Sequence, residues 1–145
     1  MRTAIVSEPI DANALIREVA SHAHGATILF LGTVRDVNDG RAVEGMEYSA
    51  YEEMAARELA AIAGEAAARF GTEHIVVEHR TGRLALGEAS VGIAVSHAHR
   101  GAAYDASRYV IEELKKRLPV WKREEYADGT REWVDPARAK HGARA

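Results

Sequence analysis

Residues 26–48 read ATILFLGTVRDVNDGRAVEGMEY: an apolar run, a polar break and a second patterned run. Residues 26–34 are almost continuously apolar, which predicts a strand at the centre of a sheet, covered on both faces. Residues 36–41, DVNDGR, carry the Asn-Asp-Gly chemistry of a turn. Residues 43–48 alternate well enough to be the return strand of a hairpin-like pair. Between run and turn stands Gly32-Thr33-Val34-Arg35. An arginine at the end of a buried strand can aim its planar fork at a phosphate or carboxylate. The bland reading is an ordinary solvated arginine.

Upstream, residues 3–7 predict a short strand. Residues 11–22 predict a helix with Leu15, Ile16 and Val19 on one side and Asp11 as its N-cap. Downstream, Ser49 and Glu52 have the spacing of a capping box. The alanine-rich stretch to Phe70 is the clearest helix, and Gly71 is a natural stop. Its alanine face is expected to pack on the sheet or on a second copy. Residues 74–79 and 90–96 predict two strands joined through TGRLALGEA, and residues 100–118 a third helix. Pro119 ends that helix, because proline disfavours helical geometry at the residue before it. Residues 120–126 are then extended, Ala127-Asp128-Gly129 is a turn, residues 130–134 pair back, and residues 137–145 read as a frayed tail. Alternating strands and helices with both hairpin and crossover links predict an α+β or mixed α/β domain spanning residues 1–145.

Composition narrows the function. The chain is 47% hydrophobic and 28% charged, which is globular rather than disordered. A net charge of −3 argues against a general binder of nucleic acid or membrane surface. With no cysteine, disulfides, thiolate metal sites and a cysteine nucleophile are excluded. No apolar run approaches the ~20 residues that span a bilayer, and residues 1–10 lack a signal-peptide core, so a cytoplasmic protein is expected.

Two further clusters could carry chemistry. Ser96-His97-Ala98-His99-Arg100 lies where a strand meets a helix, and helix N-termini attract anions. The alternative is a serine cap with incidental histidines. A metal reading of His97 and His99 lacks further ligands nearby in sequence, and His22 and His24 read as surface. The second cluster is KKRLPVWKRE, residues 115–124. A solvated helix end explains Lys115, Lys116 and Arg117, but not Lys122 and Arg123 beside Trp121. A reversal at Pro119 would bring Lys122 back towards Lys115. Two close cations would favour a neutral amine as base or nucleophile. Arg35, His99, Arg100, Lys115 and Lys122 together describe an anion site without a metal. Trp121, Trp133, Tyr48 and Tyr51 are expected in the core or at an interface.

The segments FLGTVRD, EGMEYSAYEEMA, SHAHRGAAY and LKKRLPVWKRE, in this order and spacing, resemble the large, catalytic subunit of molybdopterin synthase over residues 26–134. The resemblance implies an α/β hammerhead fold with an added antiparallel β subdomain. It implies a homodimer in which each copy binds a small ubiquitin-like sulfur carrier, giving a heterotetramer. The carrier's Gly-Gly tail bears a thiocarboxylate, the substrate is cyclic pyranopterin monophosphate, and the product is dithiolene-bearing molybdopterin. No cofactor is implied, and sulfur delivered by a carrier agrees with the absence of cysteine. By the resemblance, Thr33, Val34, Arg35, His99, Arg100, Lys115, Lys122, Arg123 and Glu124 bind substrate, and Lys115 and Lys122 are catalytic. Arg138 falls near a further family arginine, within one residue of its position.

Arg100 and Lys115 are fifteen residues apart on one expected helix, roughly 22 Å at the usual helical rise. One small pterin does not span that within a subunit. The expectation is a composite site, with Arg35, Lys115 and Lys122 from one chain and His99 and Arg100 from another. Two other readings compete: a non-catalytic, ferredoxin-like module binding anions or nucleotides, and an RNA-binding protein using residues 115–123. The chain is only 6% aromatic and lacks the interleaved aromatics the second would need.

Overall fold

Local chemistry sets the helix ends. The computed structural model describes residues 1–134. After strand β1 (Arg2–Val6), helix α1 (Ala12–Val19) begins where the Asp11 carboxylate accepts the Ala14 N–H at 3.1 Å. Helix α2 (Glu52–Phe70) ends at Gly71, whose φ of 73° is a left-handed value that glycine adopts without steric penalty. Helix α3 (Arg100–Arg117) ends at Leu118, held extended at φ −72°, ψ 125° by Pro119. The capping box does not form. Ser49 is held in a strand opposite Trp121, and Tyr51 takes the cap position with no side-chain bond.

The remaining strands are β2 (Ala26–Thr33), β3 (Val37–Asn38), β4 (Arg41–Ala50), β5 (Ile75–Arg80), β6 (Gly82–Ala85), β7 (Ala89–His97), β8 (Val120–Tyr126) and β9 (Arg131–Val134). They form two sheets. The first has the order β1-β5-β7-β2, with β1 parallel to β5 and the other pairs antiparallel. Its Ile75, Val77, Ile93 and Val95 meet Ala55, Leu59, Ile62 and Ala63 of α2 and Ala106 and Val110 of α3 in the main core. Its other face places Val76 and Ala94 against Leu15 and Val19 of α1. Helices on both faces bury the apolar start of β5 (Ile75, Val76, Val77) and the middle of β7 (residues 91–95), and each fully buried Leu or Ile contributes ~1.5–3 kcal/mol.

Two strand expectations are corrected. β2 lies at the edge of its sheet, not the centre, and Leu31 is exposed. Nor does it form a hairpin with the next long strand. The register shifts at Gly32/Thr33, and the chain leaves for the second sheet. A β-carbon on Gly32 would lie 2.7 Å from Val91 Cγ1, so only glycine lets the strand pass this closely before it diverges.

The second sheet runs β3-β4-β8-β9, with β6 on the edge of β4. The turn between β3 and β4 uses positive φ at Asp39 (50°) and Gly40 (76°), as a tight two-residue hairpin requires. This antiparallel sheet beside a helix-covered one is the α+β arrangement expected, with the second sheet as the added antiparallel part. Among the described residues, no helix is long and apolar enough to cross a membrane.

Candidate functional site

A cleft of about 130 Å³ opens where the two sheets part. Five segments build it: the end of β2 and the loop after it, the β3–β4 hairpin, the start of β7, the last turn of α3, and β8. Thr33, Val34, Arg35, Lys115, Lys122 and Glu124 all line it. Pro119 is the reason the last three meet. It stops α3 just after Lys115 and starts β8 directly, so Lys122 folds back beside the helix end. Val34 supplies wall rather than bonds. Its side chain is buried, its N–H donates to Glu88 at 3.0 Å, and its carbonyl accepts from Gly87 at 2.9 Å.

Electrostatically, the centre of the cleft is a buried carboxylate. Glu124 has no exposed surface, and its two oxygens accept from Asn38 Nδ2 at 2.6 and 2.7 Å. Lys122 Nζ lies 3.4 Å from Glu124 Oε1. Lys122 therefore faces an opposite charge, and not simply the second cation expected from the sequence. Burial, with Glu124 alongside, pushes the Tyr126 phenol up to about 12, so it stays a neutral hydroxyl. Arg35 and Lys115 are open to solvent, and a ligand entering the cleft meets both.

Alternation along β8 separates Arg123 from its neighbours. Its guanidinium pairs with Glu47 and lies 5.1 Å from the Trp133 ring centroid, while Lys122 and Glu124 face the cleft. His99 and Arg100 stand at the opposite end of α3 from Lys115, both exposed. There α3 begins at His99 with no side-chain cap bond, and His97 Nδ1 accepts the His99 N–H at 2.9 Å just before the helix. Ser96 is buried and donates to the Val19 carbonyl. His24 is not simple surface. It bonds Ser96 Oγ at 2.6 Å and packs edge-on against His74, with ring centroids 4.6 Å apart. Among the described residues, no group of three or more His, Asp or Glu is placed to hold a metal ion. Arg138 lies outside the described residues.

The cleft sits in a chain with clear relatives. A family model described as MoaE protein matches residues 5–117. The chain belongs to the MoaE family. A Bacillus subtilis relative named molybdopterin synthase catalytic subunit is 41% identical, over 92% of this chain and 84% of its own length. An Aspergillus clavatus protein of the same name is 44% identical over 86% of this chain. The match takes in 63% of that fungal protein's length, so the chain spans under two thirds of it. The crystal structure of molybdopterin synthase from Staphylococcus aureus superposes with a TM-score of 0.84 at 35% identity, covering 90% of this chain and 95% of that one.

Within this MoaE chain, several residues at the cleft were not singled out from sequence. In sequence Asn38 is only part of a turn, because its partner Glu124 is 86 residues away. Tyr48 and Ser90 also line the cleft. The sequence places Tyr48 in the core or at an interface and Ser90 in a strand. Tyr51 and Trp133 are exposed, so of the core and the interface expected for them it is the core that the structure excludes.

Proposed function

We propose that the chain is the catalytic subunit of a molybdopterin synthase. In this reading it moves two sulfurs from a thiocarboxylated carrier protein to cyclic pyranopterin monophosphate. The observation that carries the reading is the gathering of Arg35, Lys115 and Lys122 around the buried Glu124 in one narrow cleft of a MoaE-family chain. A space of about 130 Å³ is below the usual range for a whole small-molecule site. It suits one slender group, such as a Gly-Gly tail without side chains, with the pterin lying across its mouth.

In each round a C–S bond forms at the substrate and the carrier's acyl C–S bond breaks. Water supplies the oxygen with which the carrier leaves as a carboxylate. The displaced substrate oxygen needs a proton, and Lys115, at the mouth, is the acid that delivers it. Arg35 and Lys122 hold the carrier's terminal carboxylate or the substrate phosphate. Asn38 and Glu124 hold Lys122 in place. Two rounds require two loaded carriers, so the spent one must leave in between.

The working unit is a homodimer, and with its carriers a heterotetramer. His99 and Arg100 are a helix length from Lys115, so a second copy must present them to complete the phosphate or pterin clamp. The outer edge of β2 pairs with no other described strand. It runs beside α3, with exposed Leu31 and Tyr104 nearby. We assign that surface to the second copy.

The test is sulfuration in vitro with a thiocarboxylated carrier and cyclic pyranopterin monophosphate, detecting the dithiolene. Wild type is expected to make product and Lys115→Ala to make little. No product with a carrier that works with a known catalytic subunit would leave only the shared fold.

A further inference from the structure

Lys115 and Lys122 separate two spaces. Outside is the cleft. Inside is a smaller cavity of about 40 Å³, reached by Tyr48, His79, Ser90, Lys115 and Lys122. Tyr48, Ser90, Val91 and the two lysines line both. Among the described residues, His79 is the imidazole that reaches this inner space.

His79 lies on β5, opposite Ile5 of β1 and Val91 of β7, and is 3% exposed. Its Nδ1 is 3.0 Å from the carbonyl oxygen of Arg80. A carbonyl only accepts, so Nδ1 carries the proton and Nε2 holds a lone pair. Tyr48 packs edge-on to the ring, at 5.2 Å between centroids. Burial first, and the Lys115 charge second, oppose protonation and push the imidazole down to about 4. His79 is thus a neutral acceptor at physiological pH. The inner cavity has room for a water and enough polar groups on its walls to hold it.

We propose that His79 is a positioning residue for Lys115: its Nε2 accepts, through one water in the inner cavity, a hydrogen bond from the Lys115 ammonium. The bond favours the charged amine and holds it at the wall between the two spaces. The charged and titratable groups facing Lys115 are Arg35 from the loop after β2, Tyr48 from β4, His79 from β5, and Lys122 and Glu124 from β8. Of these, His79 is the neutral nitrogen acceptor placed beneath the lysine. The role of Lys115 as acid rests on the function proposed above; the hydrogen bond itself does not.

The experiment follows the Lys115 amine by NMR in lysine-labelled protein, with Lys115→Arg to assign the signal. Wild type, His79→Phe and His79→Gln are titrated. His79→Phe removes the acceptor and is expected to lower the Lys115 midpoint by about half a pH unit or more. His79→Gln keeps an acceptor near the Nε2 position and is expected to restore most of the shift. A packing role alone would not move the midpoint. Equal Lys115 midpoints in wild type and a folded His79→Phe would overturn the inference. If His79→Phe does not fold, a high-resolution crystal structure of wild type decides: a water between His79 Nε2 and Lys115 Nζ supports it, and a dry cavity sinks it. These readouts need no catalysis, so a chain inactive in sulfuration would refute the proposed function and leave this inference standing.

Discussion

Acid should destabilise this protein through one residue in particular. His79 is buried, and its proton affinity falls from an ordinary 6.5 to about 4 on folding. The unfolded chain therefore takes up a proton at His79 below about pH 6.5, while the folded chain does not. The stability this group contributes is complete above that pH and is lost as pH falls towards 4. The full span is worth about 3 kcal/mol, of which about 2 kcal/mol disappears between pH 7 and pH 5. The assay is urea unfolding at pH 7, 6 and 5 for wild type and His79→Gln. The partly depressed His24 contributes with the same sign, but it is present in both proteins and cancels. Wild type is expected to lose about 2 kcal/mol more than the variant over this range. Parallel losses would refute the reasoning, because a histidine that titrates alike in both states adds no pH dependence.

Two further substitutions test the packing, one at the cleft and one under α1. Glu124→Ala removes the acceptor of both Asn38 contacts and the counter-charge of Lys122, and is expected to destabilise by about 3–5 kcal/mol. A loss below about 1 kcal/mol in urea unfolding would show that the carboxylate is not the buried partner described. Gly92→Ala would place a β-carbon 2.7 Å from Leu15 Cδ1 and 3.0 Å from Ile10 Cγ2. It should cost about 1–3 kcal/mol by pushing α1 off the sheet, and an unchanged thermal midpoint would contradict that contact.

Features written in adjacent residues were legible in the sequence. Asp11, Gly71 and Pro119 act within a turn of where they stand, and each ends or begins a helix as expected. The position of β2 was not legible. An apolar run records that a strand is covered, not whether neighbouring strands or a second chain cover it. Ser49 had the spacing of a cap, but pairing of β4 with β8 took it first. At the cleft, the resemblance named Lys115 and Lys122, and the turn at Pro119 explains why they meet. It also grouped Arg123 with Glu124, although alternate residues of a strand face opposite ways. Asn38 and His79 could not be found, because each matters through a residue distant in the chain.

The most direct test of the central claim mixes two inactive chains. Lys115→Ala damages the cleft, and Arg100→Ala damages the contribution from the far end of α3. Each variant alone should fail in the sulfuration assay. After unfolding and refolding together, half of the dimers would pair one of each and carry one intact composite site. The mixture should therefore recover about a quarter of wild-type activity. A mixture as silent as its components, while wild type is active, would contradict a site shared between two copies.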